Sequence, residues 1–287
     1  MKKYIRLIIT LLVMLPCITT FAQDSPEFLA ALIKNFDQKT TVPLSFKQDM
    51  AEALSVQEQF LAHLSRTMGK PVGYKAALTN PGAQTKFGVD TPVYGVLLEK
   101  MLVPSGSKLP VHFGTLPLME GDLIVRVGSE DINEATSPES LLAGLDAIIP
   151  FLELPDLVFK KGTSLSGPAL VAVNAGARLG VLGNVIPLTA DASTMAALGK
   201  IRLEMTDSTG TVVGHGYANA LMTHPIKVVE ALRDHLLSQG SKLKKGDLIS
   251  LGSITAMVPV RKPDTIKLTY FGIPGVETAE VTVEFVP

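Results

Sequence analysis

The sequence contains no tryptophan and one cysteine, Cys17, among 287 residues. That cysteine lies in an N-terminal stretch read below as a removed signal peptide, so the mature chain has no thiol for a disulfide, even in an oxidising compartment. Its stability has to come from a buried core. No long basic run is present, and losing Lys2, Lys3 and Arg6 with the leader tips the balance of 26 basic and 27 acidic side chains further toward acid. Nucleic acid is therefore not an expected partner. No pair of histidines has metal-ligand spacing. No glycine-rich phosphate loop joins a strand to a helix, and Ser164 and Ser166 lack a nucleophile elbow, which argues against nucleotide-dependent and serine-hydrolase chemistry. Repeats, low-complexity tracts and heptad runs are missing as well.

What is present begins with MKKYIRLIITLLVMLPCITTFAQDSP: a cationic head, an apolar run from Leu7 to Leu15 and a Thr20-Phe21-Ala22 ending suited to signal peptidase. Residues 1–22 are read as a cleaved signal peptide, which implies a periplasmic or secreted protein. The competing reading is an uncleaved anchor, but the apolar run is shorter than the roughly 20 residues that span a bilayer, so no stable membrane anchor is expected. From Ser25 to about Gly69 apolar residues recur at helical spacing, in SPEFLAALIKNF and again in DMAEALSVQEQFLAHLSRTMG, separated by a Thr-Thr-Val-Pro link. After Pro71 short β-like runs take over: YGVLLEKMLV, DLIVRVG, ISLG, DTIKLTYFG and AEVTVEFV. The spacing predicts only two inserted helices, over Pro138–Ile149 and Pro225–Gln239, the first with Thr136, Ser137 and Glu139 as capping and dipole partners. His224 stands just before the second, at a capping or loop position. Many strands with few helices imply an α+β fold on antiparallel or mixed sheets. The division expected is a mainly helical portion at 23–97 and a catalytic domain at 98–287.

The stretch PLMEGDLIVRVG places Glu120 and Asp122 one residue apart. In a strand they share a face, about 7 Å apart at their Cα atoms, with Gly121 keeping the other side unobstructed. One reading is the polar face of an edge strand with Arg126 neutralising an acid. The other adds Glu153, which lies in IIPFLELPD among Phe151, Leu152 and Leu154, where a charge is costly unless paired or metal-bound. Three carboxylates without Cys or a His pair suit a hard divalent cation, Mg²⁺, Mn²⁺ or Ca²⁺, better than zinc. Spacing alone does not say that Glu153 reaches the other two.

The ordered segments GYKAALTNPGAQTKFGVDTPVYGVLL, MEGDLIVRVG, IIPFLELPD and KKGDLISLGSITAMVPV resemble the hydratase and decarboxylase branch of the fumarylacetoacetate hydrolase superfamily, over about Pro71 to Val283. The resemblance implies a fumarylacetoacetate hydrolase-like mixed β-roll with a smaller N-terminal α/β portion, usually homo-oligomeric. It implies that Glu120, Asp122 and Glu153 hold a divalent metal, Mg²⁺ or Mn²⁺, with Asp122 where the family usually has Glu. Lys75 of GYKAALT matches the family lysine, implied to handle protons or stabilise charge on a metal-stabilised enolate. The substrate implied is a short unsaturated 2-oxo acid. Substrate-binding positions carried over are Tyr94 of TPVYG, Asn174 in a DNAS-like segment that has become Val173-Asn174-Ala175-Gly176, and Ser253 and Thr255 of SITAMVPV. The hydratase branch carries an acid where this chain has Val93, and SITAMVPV is closer to the decarboxylase pattern. The alternative class is an exported binding or accessory protein that keeps fold and metal site without catalysis.

Overall fold

The computed structural model describes residues 24–287 apart from residue 44, so the signal-peptide reading of residues 1–22 lies outside the described residues. Two helices come first, α1 (Asp24–Gln38) and α2 (Met50–Met68); Asp49 caps α2 by accepting from the Glu52 N–H. Then follow β1 (Pro71–Ala77), α3 (Pro81–Phe87), β2 (Val93–Leu98), β3 (Leu102–Pro104), β4 (Ser107–Pro110) and β5 (Leu118–Val127). The middle of the chain forms α4 (Pro138–Ala143), β6 (Leu145–Leu154), α5 (Gly167–Ala172), β7 (Leu179–Leu182), β8 (Ile186–Pro187), α6 (Ala192–Leu198), β9 (Arg202–Thr206) and β10 (Val212–Tyr217). It closes with α7 (Pro225–Ser238), β11 (Leu248–Ser250), β12 (Val258–Pro259), β13 (Asp264–Phe271) and β14 (Thr278–Val286).

The helix expected over Pro138–Ile149 is half that length. Ser137 and Ser140 form a capping box that starts α4, but the helix stops at Gly144. The run Ile148-Ile149-Pro150-Phe151 that follows is β-branched, aromatic and proline-containing, and it belongs to strand β6. At α7, His224 caps the helix, its Nδ1 accepting from the Ile226 N–H at 3.2 Å.

A nine-stranded mixed sheet runs β2-β1-β11-β5-β6-β7-β3, with β12 added to β5 and β8 to β6; a second sheet of five strands runs β10-β9-β13-β14-β4. Leu123, Val125, Leu152 and Val181 of the first sheet meet Leu203, Leu268, Val281 and Val283 of the second in the main core, which α7 and α4 extend. A separate apolar layer joins α1, α2 and α5 to β2 through Phe28, Phe60, Val93 and Leu170. The boundary expected at residue 97 runs through the large sheet: β1 and β2 lie before it, and both pair into the sheet that carries β5 and β6. α1 and α2, joined by α5 from later in the chain, form the helical layer.

Candidate active site

The acidic segment is not an edge. β5 lies between β11 and β6, and Glu120, Asp122, Leu123, Ile124 and Val125 are all buried. Arg126 pairs with Asp146 at 2.7 Å rather than with either acid. Gly121 faces Thr255 and the second sheet, where an added Cβ would fall 2.9 Å from a methyl of Thr255 and 3.0 Å from a methyl of Leu203. Register then brings in the third acid: Glu120 stands directly opposite Glu153 on β6, and Asp122 opposite Phe151. Directly opposed residues have Cβ atoms about 5 Å apart, so the two glutamates face each other across the ladder.

Lys75 arrives from β1, three strands away from β6. At about 4.8 Å per strand a flat sheet would separate them by about 14 Å. Nevertheless the Lys75 Nζ donates to Glu153 Oε1 at 2.5 Å, because the sheet curls and two long side chains reach inward. A second Lys75 N–H goes to the Ala175 carbonyl at 2.9 Å. Lys75, Glu120, Asp122 and Glu153 are 4%, 2%, 0% and 2% exposed. Ser253 Oγ donates to Glu120 at 2.6 Å, and Ser250 Oγ donates to Asp122 Oδ2. Asp122 Oδ1 also accepts from the Leu123 N–H at 2.5 Å. The Tyr270 hydroxyl, inserted from β13, accepts from Phe151 N–H at 2.8 Å and reaches the Asp122 and Phe151 carbonyls at 2.5 and 2.9 Å. It fixes the backbone on both strands beside the acids.

These surroundings leave the acids short of positive charge. Burial, with Glu153 adding repulsion, pushes the Glu120 carboxyl up to about 8. The same two causes hold Asp122 well above the usual carboxylate range, against the hydrogen bonds from Ser250 and Leu123. Burial acts to lower the Lys75 ammonium, but Glu153, Glu120 and Asp122 outweigh it and raise its pKa. Glu153 Oε2 is buried without any partner. Among the described residues no three acidic, His or Cys side chains already stand as a coordination cage, since Lys75 holds Glu153 and Ser250 holds Asp122. The donor set is nonetheless all oxygen, in excess of its one counter-charge, and has an orphaned carboxylate oxygen; it fits a hard divalent cation that replaces part of Lys75's hold.

A cavity of about 410 Å³ opens onto this cluster, lined by Lys75, Glu120, Ser253 and Thr255 and walled by Phe87 and Leu170. Thr255 Oγ1 accepts from the Gly121 N–H at 2.9 Å. Tyr94 is elsewhere: it lines a separate cavity of about 370 Å³ and packs against His235, ring centroids 4.8 Å apart. Asn174 is fully buried, its amide paired with the Val96 backbone rather than turned to the cavity. Ser250 and Tyr270 were not among the residues expected from sequence. Ser250 had a faint signal, a hydroxyl inside the apolar ISLG strand; Tyr270 had none, because only the packing of two sheets brings it to β5.

No family model matches the chain. It is 28% identical over 223 residues to 4-oxalocrotonate decarboxylase of Pseudomonas sp. (strain CF600), covering 78% of this chain and 82% of that protein. It is 26% identical over 261 residues to 2-keto-4-pentenoate hydratase 1 of Dechloromonas aromatica (strain RCB), covering 88% and 95%. Its curated homologues are decarboxylases and hydratases of the branch its motifs resemble. Among solved structures, 4-oxalocrotonate decarboxylase from Pseudomonas putida G7, complexed with magnesium and adipate, superposes at a TM-score of 0.76 over 92% of this chain and 99% of that one, at 24% identity. The fold is that of the fumarylacetoacetate hydrolase family.

Proposed function

We propose that the protein is a divalent-metal-dependent lyase, a hydratase or decarboxylase, acting on a short unsaturated 2-oxo acid. The observation that carries this reading is the buried cluster of Lys75, Glu120, Asp122 and Glu153, of which Lys75 and Glu120 line one cavity. Relatives named for both reactions support it, as do solved neighbours bound to magnesium, calcium or Mn²⁺. Glu120, Asp122 and Glu153 would hold Mg²⁺ or Mn²⁺; when bound, such an ion polarises the ketone of a chelated 2-oxo acid. The chain's own residues supply the rest. Lys75 presents an ammonium whose remaining N–H can stabilise developing negative charge or deliver a proton from Nζ. Ser253 orients Glu120, and Phe87 and Leu170 keep one side of the cavity apolar, which strengthens the charge interactions within it.

Between the two reactions, decarboxylation is favoured by the SITAMVPV segment, which is read as closer to the decarboxylase pattern and whose Ser253 and Thr255 line the cavity. Val93 packs into the helical layer and borders the separate cavity of Tyr94. The alternative of a non-catalytic accessory protein has no support among the named relatives. Purified mature protein with Mg²⁺ or Mn²⁺ is expected to consume 2-oxo-hex-3-enedioate with release of carbon dioxide, or else to hydrate 2-oxo-pent-4-enoate, followed by ultraviolet absorbance. Consumption of neither overturns the reading. The proposed export is checked by N-terminal sequencing, which should start at Gln23, and the proposed homo-oligomer by light scattering.

A further inference from the structure

Asn174, Ala175 and Gly176 form a turn in which every residue has a positive φ, at 54°, 53° and 70°. Glycine adopts this region freely and asparagine tolerates it, but Ala175 stays there only if its surroundings hold it. The holding contacts are specific. Asn174 Oδ1 accepts from the Val96 N–H at 2.7 Å, and its Nδ2 donates to the Val96 carbonyl at 3.0 Å. Val96 belongs to β2, an outer strand of the large sheet, whose outward backbone groups have no further strand to pair with among the described residues. One side-chain amide takes the place of that missing strand. Gln57 of α2 completes the cover by donating to the Tyr94 carbonyl at 2.8 Å and to Asn174 Oδ1 at 3.4 Å. Gly95 lets the turn sit directly on the strand, since a Cβ there would lie 2.5 Å from the Asn174 carbonyl oxygen.

The next carbonyl of the same turn, that of Ala175, accepts from Lys75 at 2.9 Å, and Lys75 is the register partner of Gly95. The turn therefore ties the sheet edge to the ammonium. A lysine has three N–H donors. Glu153 and Ala175 take two of them, and Lys75 lines the cavity, so the third has a fixed direction toward it. With Glu153 alone as partner the ammonium could swing about a single contact.

We propose that Asn174 is a positioning residue for Lys75: by standing in for a strand beside Val96, it holds the left-handed turn that presents the Ala175 carbonyl to the ammonium. The inference rests on the reading of Lys75 as the proton-handling group of a lyase, and it gives Asn174 to the backbone instead of to substrate.

The test has two arms on the full mature protein. In a double-mutant cycle read by urea unfolding, Asn174→Ala is expected to shift the unfolding equilibrium at least tenfold with Lys75 present. In a Lys75→Met background its effect should be at least threefold smaller. Equal effects in both backgrounds overturn the linkage. Should Asn174→Ala fail to fold, Gln57→Leu loosens the same turn more mildly and takes its place in the cycle. In the kinetic arm, either variant is expected to lower kcat at least threefold with KM within twofold and Mn²⁺ affinity unchanged, whereas kcat, KM and metal affinity deteriorating together marks general damage and overturns positioning. A coupled cycle with an inactive wild type removes the lyase reading and leaves the Asn174–Lys75 linkage standing. Active wild type with an additive cycle does the reverse.

Discussion

Glu120, Asp122 and Glu153 share a buried space with a single lysine, and most consequences of the site follow from that imbalance. Replacing Glu120 or Glu153 with Gln keeps the shape and removes a charge, so Mn²⁺ affinity measured by calorimetry should fall at least tenfold; unchanged affinity would dismiss the three-acid site. Protonation gives a second expectation. The Glu120 carboxyl lies near 8 in the folded, metal-free protein against about 4.5 unfolded, so the folded state binds the proton more tightly. That stabilisation is fully present below about 4.5 and is lost as pH rises through about 8. In EDTA the melting temperature is therefore expected to drop between pH 6 and pH 8.5, and a flat profile would contradict the burial argument. Tyr270→Phe strands the Phe151 N–H and should cost about 1–3 kcal/mol in urea unfolding.

At the scale of elements, β5 shows how much of the site was legible in the sequence. Alternation placed Glu120 and Asp122 on one face, and the same periodicity explains why Gly121 turns toward the second sheet. What alternation could not supply was the position of the strand in its sheet. A strand at an edge and a strand at the centre can carry the same letters, and only pairing with β11 and β6 makes the acids buried. Glu153 reached them through register, a long-range property that local composition does not encode. The overlong helix at Pro138 has a simpler cause: a good capping box starts a helix, but Gly144 and the β-branched residues beyond it stop one. Gly121→Ala should destabilise by about 1–3 kcal/mol through overpacking against Leu203 and Thr255, read as a lower urea midpoint with an unchanged slope.

Over the whole molecule, metal and fold are expected to be linked, because an ion that binds only the native acid cluster stabilises the native state by mass action. Binding must displace the proton on Glu120, so the effect should grow with pH. Stripping Mn²⁺ with EDTA is expected to lower the melting temperature more at pH 8 than at pH 6, and an equal drop at both would argue against ligation by Glu120. The four charged residues also come from distant parts of the chain: Lys75 from β1, Glu120 and Asp122 from β5 and Glu153 from β6, with Ser250 of β11 wedged between. Pairings of such long sequence separation are slow to form. No fragment of the chain owns the site, so cation uptake during refolding acts as a clock for the last step: Mn²⁺ capture should lag the recovery of helical signal and coincide with closure of the β1-β11-β5-β6 seam.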